Sequence, residues 1–177
     1  MALRATVYKA EVQVADLDRQ HYADYSLTLA RHPSETDERL MVRLLAFVLH
    51  ADERLQFGKG LSTEDEPTLS LLDDGGVLRL IVEVGLPDET RLRKACNRAD
   101  RVCLLAYGGR AAEVWWQQNE TALRRHDNLD ILVLTPEDVS ALGARAERNM
   151  RVSCTVQDGG IYVDSILVTP QPLLTRP

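Results

Sequence analysis

The chain has 177 residues, 45% of them hydrophobic and 27% charged, with a formal net charge of −6. That length and composition give a globular domain with a sizeable core and exclude a disordered chain, a collagen-like repeat and a disulfide scaffold. The acidic balance excludes a protein that coats nucleic acid nonspecifically, since such binding rests on Lys and Arg against phosphate. The longest apolar runs, 44–49 and 102–107, are far too short for a membrane span, and the first residues carry no apolar signal-peptide core. Cys96, Cys103 and Cys154 have no metal-ligand spacing and read as free thiols in a cytoplasmic protein.

In chain order, alternation over 6–14 gives a strand, and a second follows over 22–30. His32 and Pro33 end it. Ser34 with Asp37 resembles a capping box that opens a helix to about His50, burying Leu40, Met41, Leu44, Leu45 and Val48. Strands over 67–72 and 77–85 flank the turn signal Asp73, Asp74, Gly75 and Gly76. Pro87, Asp88 and Glu89 start a second helix with Leu92, Ala95, Cys96 and Ala99 on its apolar stripe. A strand over 102–107, a helix over 110–125, a strand over 130–134 and a helix over 136–148 follow. The last elements read as a hairpin around Asp158, Gly159 and Gly160. The expectation is one α/β domain over 1–168, a mixed central sheet with helices on both faces, and a loosely ordered tail over 169–177.

The turn places two carboxylates. A two- or four-residue loop sets Leu72 against Val77 and therefore Glu66 against Glu83, on a mostly polar face with Thr68 and Ser70. Like charges so placed repel unless a cation lies between them, and Mg²⁺ takes one or two carboxylates with water completing its shell. Asp65 could add an oxygen. The other reading is a solvated face with two glutamates that ignore each other. Glu38 falls at the edge of the first helix's apolar stripe, where it either looks toward the sheet or serves the helix dipole. Glu35 and Asp37 fit the dipole role better. Arg91 and Lys94 are neighbours on the second helix, off its stripe. Trp115 and Trp116 read as core and rim, and the four histidines show no ligand pattern.

The strings SLTLARHPSETDER (26–39), ADERLQF (51–57), DEP (65–67), EVGLPDE (83–89), RLRKA (91–95) and VWWQQ (114–118) closely resemble the YaeQ family, a resemblance running from residue 1 to about 163. It implies a variant of the PD-(D/E)xK fold, with a restriction-endonuclease-like core. In that superfamily a first-helix acid, an acid before a strand and an acid-x-lysine on the next strand form the site. They match Glu38, Glu66 (with Asp65 beside it) and Glu83, while the lysine position holds Gly85. Some members carry the basic group on the following helix, which matches Arg91 or Lys94. The resemblance implies a Mg²⁺- or Mn²⁺-dependent phosphodiester hydrolase, with Asp65, Glu66 and Glu83 on the metal and nucleic acid entering a local cleft. The alternative is a non-catalytic binding or regulatory protein that keeps the fold.

Overall fold

The computed structural model describes residues 4–59 and 66–176. Among them the elements run β1 (Thr6–Asp16), β2 (His21–Arg31), α1 (Asp37–Leu49), β3 (Leu55–Phe57), β4 (Leu69–Leu72), β5 (Leu78–Val84), α2 (Glu89–Arg98), β6 (Arg101–Ala106), α3 (Arg110–Leu123), β7 (Leu129–Val133), α4 (Pro136–Ala144), β8 (Asn149–Gln157), β9 (Gly160–Val163), β10 (Ile166–Val168) and β11 (Gln171–Leu174). The α/β class holds, but there are two mixed sheets where the sequence predicted one. The chain divides into two compact units that interleave in sequence, the first mainly Met1–Ala51 and Glu137–Thr169, the second mainly Asp52–Gly58, Asp65–Pro136 and Pro170–Pro177.

The first unit holds a sheet of order β10-β9-β8-β1-β2. β1 and β2 pair antiparallel up to Asp16 and His21, and β1 runs parallel to β8. Tyr8, Ala10, Val12 and Val14 fill one face, as their alternation predicts. On that face Tyr25 of β2 meets Phe47 of α1 edge-on, with ring centres 5.1 Å apart. The expected stripe of α1, from Leu40 to Val48, is buried.

The cap of α1 is Thr36, whose hydroxyl accepts from the Arg39 N–H at 3.1 Å. Ser34 instead bonds His32 Nδ1 at 2.8 Å. The Ser34–Asp37 spacing imitates a capping box, but the chain is still extended at Thr36 and turns helical at Asp37. Glu35 is no dipole residue either. It lies before the cap, buried, and receives Arg43 Nε and Nη2 at 2.8 and 3.0 Å, while Arg43 Nη2 also donates to Ala30 O.

The second unit holds a sheet of order β11-β7-β6-β5-β4-β3. β5, β6 and β7 are parallel, joined through α2 and α3. Ile81, Val102, Leu104, Leu129 and Ile131 from the sheet pack with Leu92, Ala95 and Cys96 of α2 and with Trp115 and Leu123 of α3. Trp115 is core, its indole N–H donating to Pro87 O at 2.7 Å, and Trp116 is rim. The loosely ordered tail is overturned: β11 pairs antiparallel with β7 and buries Leu174. Its prolines mislead because β11 is an edge strand, where a missing N–H can face outward at no loss to the ladder. No helix among the described residues is long and apolar enough to cross a membrane.

Candidate functional site

The β4–β5 hairpin does not have the predicted register. Asp73 N–H donates to Val77 O, and Asp73 Oδ1 accepts from the N–H groups of Gly75 and Val77, each at 2.9 Å. The loop is therefore the three residues 74–76, closed by Gly76 at φ 81°. A bulge follows: Leu72 pairs with Leu78 but Leu71 pairs with Leu80, so Arg79 is the extra residue. Ser70 then meets Ile81 and Leu69 meets Val82. Continuing the ladder brings Thr68, not Glu66, opposite Glu83.

The shift changes the residue opposite Glu83 and, being of two residues, leaves its face unchanged; that face is covered. Ile81 shares its side of β5 and lies fully in the core under α2. Across the sheet Glu83 aligns with Leu104 of β6, and Leu104 with Ile131 of β7. The carboxylate thus occupies an apolar row, and the residue is 3% exposed. A buried charge needs a partner and filled hydrogen-bonding positions. α2 supplies the partner. Asp88 caps it, accepting from the Arg91 N–H at 2.9 Å, and the cap sets Arg91 in the first turn. Arg91 Nε lies 3.0 Å from Glu83 Oε2 and Nη2 lies 3.2 Å from Oε1. Thr68 completes the set, its hydroxyl 3.0 Å from Oε2 and its backbone N–H 3.3 Å from Oε1. Each carboxylate oxygen accepts two hydrogen bonds, which fills the roughly four acceptor positions of the group.

The structure therefore joins Glu83, Arg91 and the Glu66 backbone, whose carbonyl accepts from Arg91 Nη2 at 2.6 Å. The Glu66 side chain is half-buried, and Asp65 lies outside the described residues. Lys94 is exposed on α2. Glu38 belongs to the first unit, where it packs on Gly143 of α4: a Cβ at Gly143 would come within 2.8 Å of Glu38 Cγ. Thr68 was missed because the assumed register set it against Ile81. Its sequence signal is a hydroxyl residue directly after Glu66 and Pro67.

Among the described residues no three His, Cys, Asp or Glu side chains are placed to hold a metal ion. Carboxylate oxygens suit Mg²⁺ in kind. Among the described residues the arrangement does not fit one, because Glu83 has Arg91 and Thr68 on both oxygens.

Residues 1–168 match the family described as YaeQ protein. The chain belongs to the YaeQ family. The proteins called uncharacterized protein YaeQ in Escherichia coli (strain K12) and Salmonella typhi are each 52% identical over 163 residues, covering 92% of this chain and 90% of their own. The crystal structure of YaeQ from Xanthomonas axonopodis pv. citri is 48% identical and superposes with a TM-score of 0.91 over 98% of this chain and 99% of its own. That of YaeQ from Pseudomonas syringae is 35% identical, also with a TM-score of 0.91, over 97% of each chain. The fold is thus that of solved YaeQ proteins, and the names of these relatives carry no activity.

Proposed function

We propose that this YaeQ protein is a non-catalytic binding or regulatory protein on a nuclease-like frame. The observation that carries this reading is the Arg91 fork on Glu83, with Thr68 on the same two oxygens. An acid held in that way is a structural anchor that ties the end of β5 to the start of α2. Two further features support it. Glu66 does not stand opposite Glu83, and the position of the superfamily's lysine is Gly85, with φ 91°. The test is titration calorimetry with MnCl₂ and MgCl₂, together with cleavage assays on plasmid DNA, single-stranded DNA and RNA. The expected result is no binding heat and no cleavage. Binding of Mn²⁺ that Glu83→Gln removes, accompanied by cleavage, would overturn the reading.

The hydrolase is the second reading, favoured by one observation. Arg91 reaches the β5 acid from the following helix, where the resemblance allows a displaced basic group. On this reading Arg91 would bind a phosphate oxygen through its planar fork, and nucleic acid would be the substrate. The same calorimetry and cleavage assays separate the two.

A further inference from the structure

The sheet of the first unit has α1 on one face, and among the described residues the side chains of its other, open face are largely exposed. On the open face the register lines up one row across all five strands. Leu167 pairs with Tyr162, Tyr162 with Thr155, Thr155 with Ala15, and Ala15 with Tyr22. Tyr22 is 63% exposed, Leu167 47% and Tyr162 44%. Exposed apolar side chains scattered singly need no explanation, but a contiguous group marks an interaction surface.

The next row is polar. Asp24 pairs with Gln13, Gln13 with Ser153, and Asp164 joins Ser153 by two hydrogen bonds, its backbone N–H donating to Ser153 O at 2.8 Å and its side-chain carboxylate accepting from the Ser153 N–H at 3.0 Å. With Glu11 and Arg151 these residues line a groove of about 590 Å³. On the other side of the apolar row are the β1–β2 and β8–β9 turns, tied together where Asp18 accepts from the N–H groups of Asp158 and Gly159 at 2.8 and 3.0 Å. Five carboxylates, Glu11, Asp18, Asp24, Asp158 and Asp164, thus flank the row against Arg151, Arg145 and, beyond Glu11, Lys9; Arg145 already holds Asp164 at 3.0 Å, and Arg19 of the β1–β2 turn is held by Asp16 at 2.7 Å.

The charge decides among occupants. A polyanion is repelled. A second copy of the same face would set these carboxylates against their own kind about a twofold axis. A cationic partner is attracted. Five strands about 4.8 Å apart make a row of about 19 Å, the length of about 13 helical residues at 1.5 Å each. We propose that this face docks a basic amphipathic helix of a protein partner. Its apolar stripe lies along Tyr22, Ala15, Thr155, Tyr162 and Leu167, and its Lys or Arg residues meet the acids on both sides. The site lies outside the Glu83 anchor, and its test does not involve that residue.

The experiment is fluorescence anisotropy of the full chain with a fluorescein-labelled peptide of Leu and Lys at amphipathic helical spacing, beside the same peptide with Glu for Lys. The Leu/Lys probe should bind, more weakly as salt rises, and the Leu/Glu probe should not. Tyr22→Ser with Tyr162→Ser should weaken binding at least ~10-fold, the scale of losing a central aromatic anchor. Asp24→Lys should weaken it severalfold and flatten the salt dependence. These side chains are exposed, so an unchanged circular-dichroism melt is expected. Should the tyrosine pair fail to fold, Asp24→Lys carries the test. Equal binding by wild type and both variants, equal binding of the Leu/Glu probe, or no binding by wild type overturns the proposal. So does a dimer in sedimentation that the tyrosine variant abolishes, which would make a second copy the occupant.

Discussion

Arg91 holds Glu83 from the first turn of α2, Nε on Oε2 at 3.0 Å and Nη2 on Oε1 at 3.2 Å, in a row the carboxylate shares with Leu104 and Ile131. The pair fixes the end of a parallel strand to the helix that follows it. Were Glu66 opposite Glu83, as the sequence predicts, loss of one charge would relieve repulsion. The observed register reverses that expectation.

Glu83→Gln should destabilise the protein, because Arg91 and Thr68 lose a charged acceptor. Breaking a fully buried pair costs about 3–5 kcal/mol. Arg91 has a side chain 30% exposed and can turn to water, so about 2 kcal/mol is expected here. For a chain of this size that lowers the melting temperature by about 4–8 °C. Replacing both partners by apolar residues, Glu83→Leu with Arg91→Met, should recover much of the loss. Urea denaturation of the three chains checks this, and a Glu83→Gln variant as stable as wild type would refute the anchor.

Much of the fold was legible because it is written in periodicity. The buried stripe of α1, the alternation of β1 and the proline–acid start of α2 each depend on local spacing, and each is observed. What failed depends on one-residue events. A three-residue loop instead of two or four, and a bulge at Arg79, slid the pairing by two residues and set Glu83 opposite Thr68, while the face it shares with Ile81, expected to be mostly polar, is covered by α2. Either loop fits the same Asp and Gly residues, so composition does not choose between them. The Glu35–Arg43 and Glu83–Arg91 pairs were hidden for a related reason: each joins residues eight apart, across a cap or a turn, where no helical or strand period applies.

The C-terminal strand should matter to stability. Leu174 is buried in the core of the second unit, and β11 covers the edge of β7. Leu174→Ala should cost about 2 kcal/mol, the low end for a buried leucine, since an edge strand can settle into the cavity. Truncation after residue 169 should cost more and promote aggregation, because it bares the β7 edge. Thermal melts and light scattering would show both; a truncated chain that melts like wild type would return the tail to the status of an appendage.

The thiols give the protein an alkaline limit. Burial pushes the Cys154 thiol up to about 12, and those of Cys96 and Cys103 up to about 11, with nearby aspartates adding to the effect. A thiol with an ordinary value near 9 in the unfolded chain loses its proton there first. Above about pH 9 the folded state therefore holds more protons than the unfolded one, and stability falls as pH rises through the window from about 9 to 11–12. Urea midpoints at about pH 8 and pH 10 should differ, and Cys154→Val should reduce the difference. In native buffer near pH 8 the buried thiols of Cys96 and Cys154 should react with a disulfide reagent at the rate of unfolding rather than at the rate of free cysteine. Fast labelling of Cys96 and Cys154 would contradict their burial.

A lysine placed at Gly85, where the hydrolase reading would call for one, tests the non-catalytic reading from the other side. Gly85 follows β5 directly, is buried, and has φ 91°, while its N–H donates to Leu105 O at 3.0 Å. The backbone leaves the strand in a conformation that side chains disfavour by roughly 1–2 kcal/mol, and the ladder bond to β6 prevents easy relaxation. A lysine there would also have to bring its ammonium out of a buried position. Gly85→Ala should therefore cost about 1–2 kcal/mol, and Gly85→Lys more. The difference between the two isolates the burial of the charge from the backbone strain. Neither variant should cleave DNA or RNA with Mg²⁺ or Mn²⁺ present, because Glu83 remains engaged by Arg91 and Thr68. Cleavage by Gly85→Lys, abolished again by Glu83→Gln, would show that the frame needs one side chain to become a nuclease and that the Arg91 fork yields to a metal.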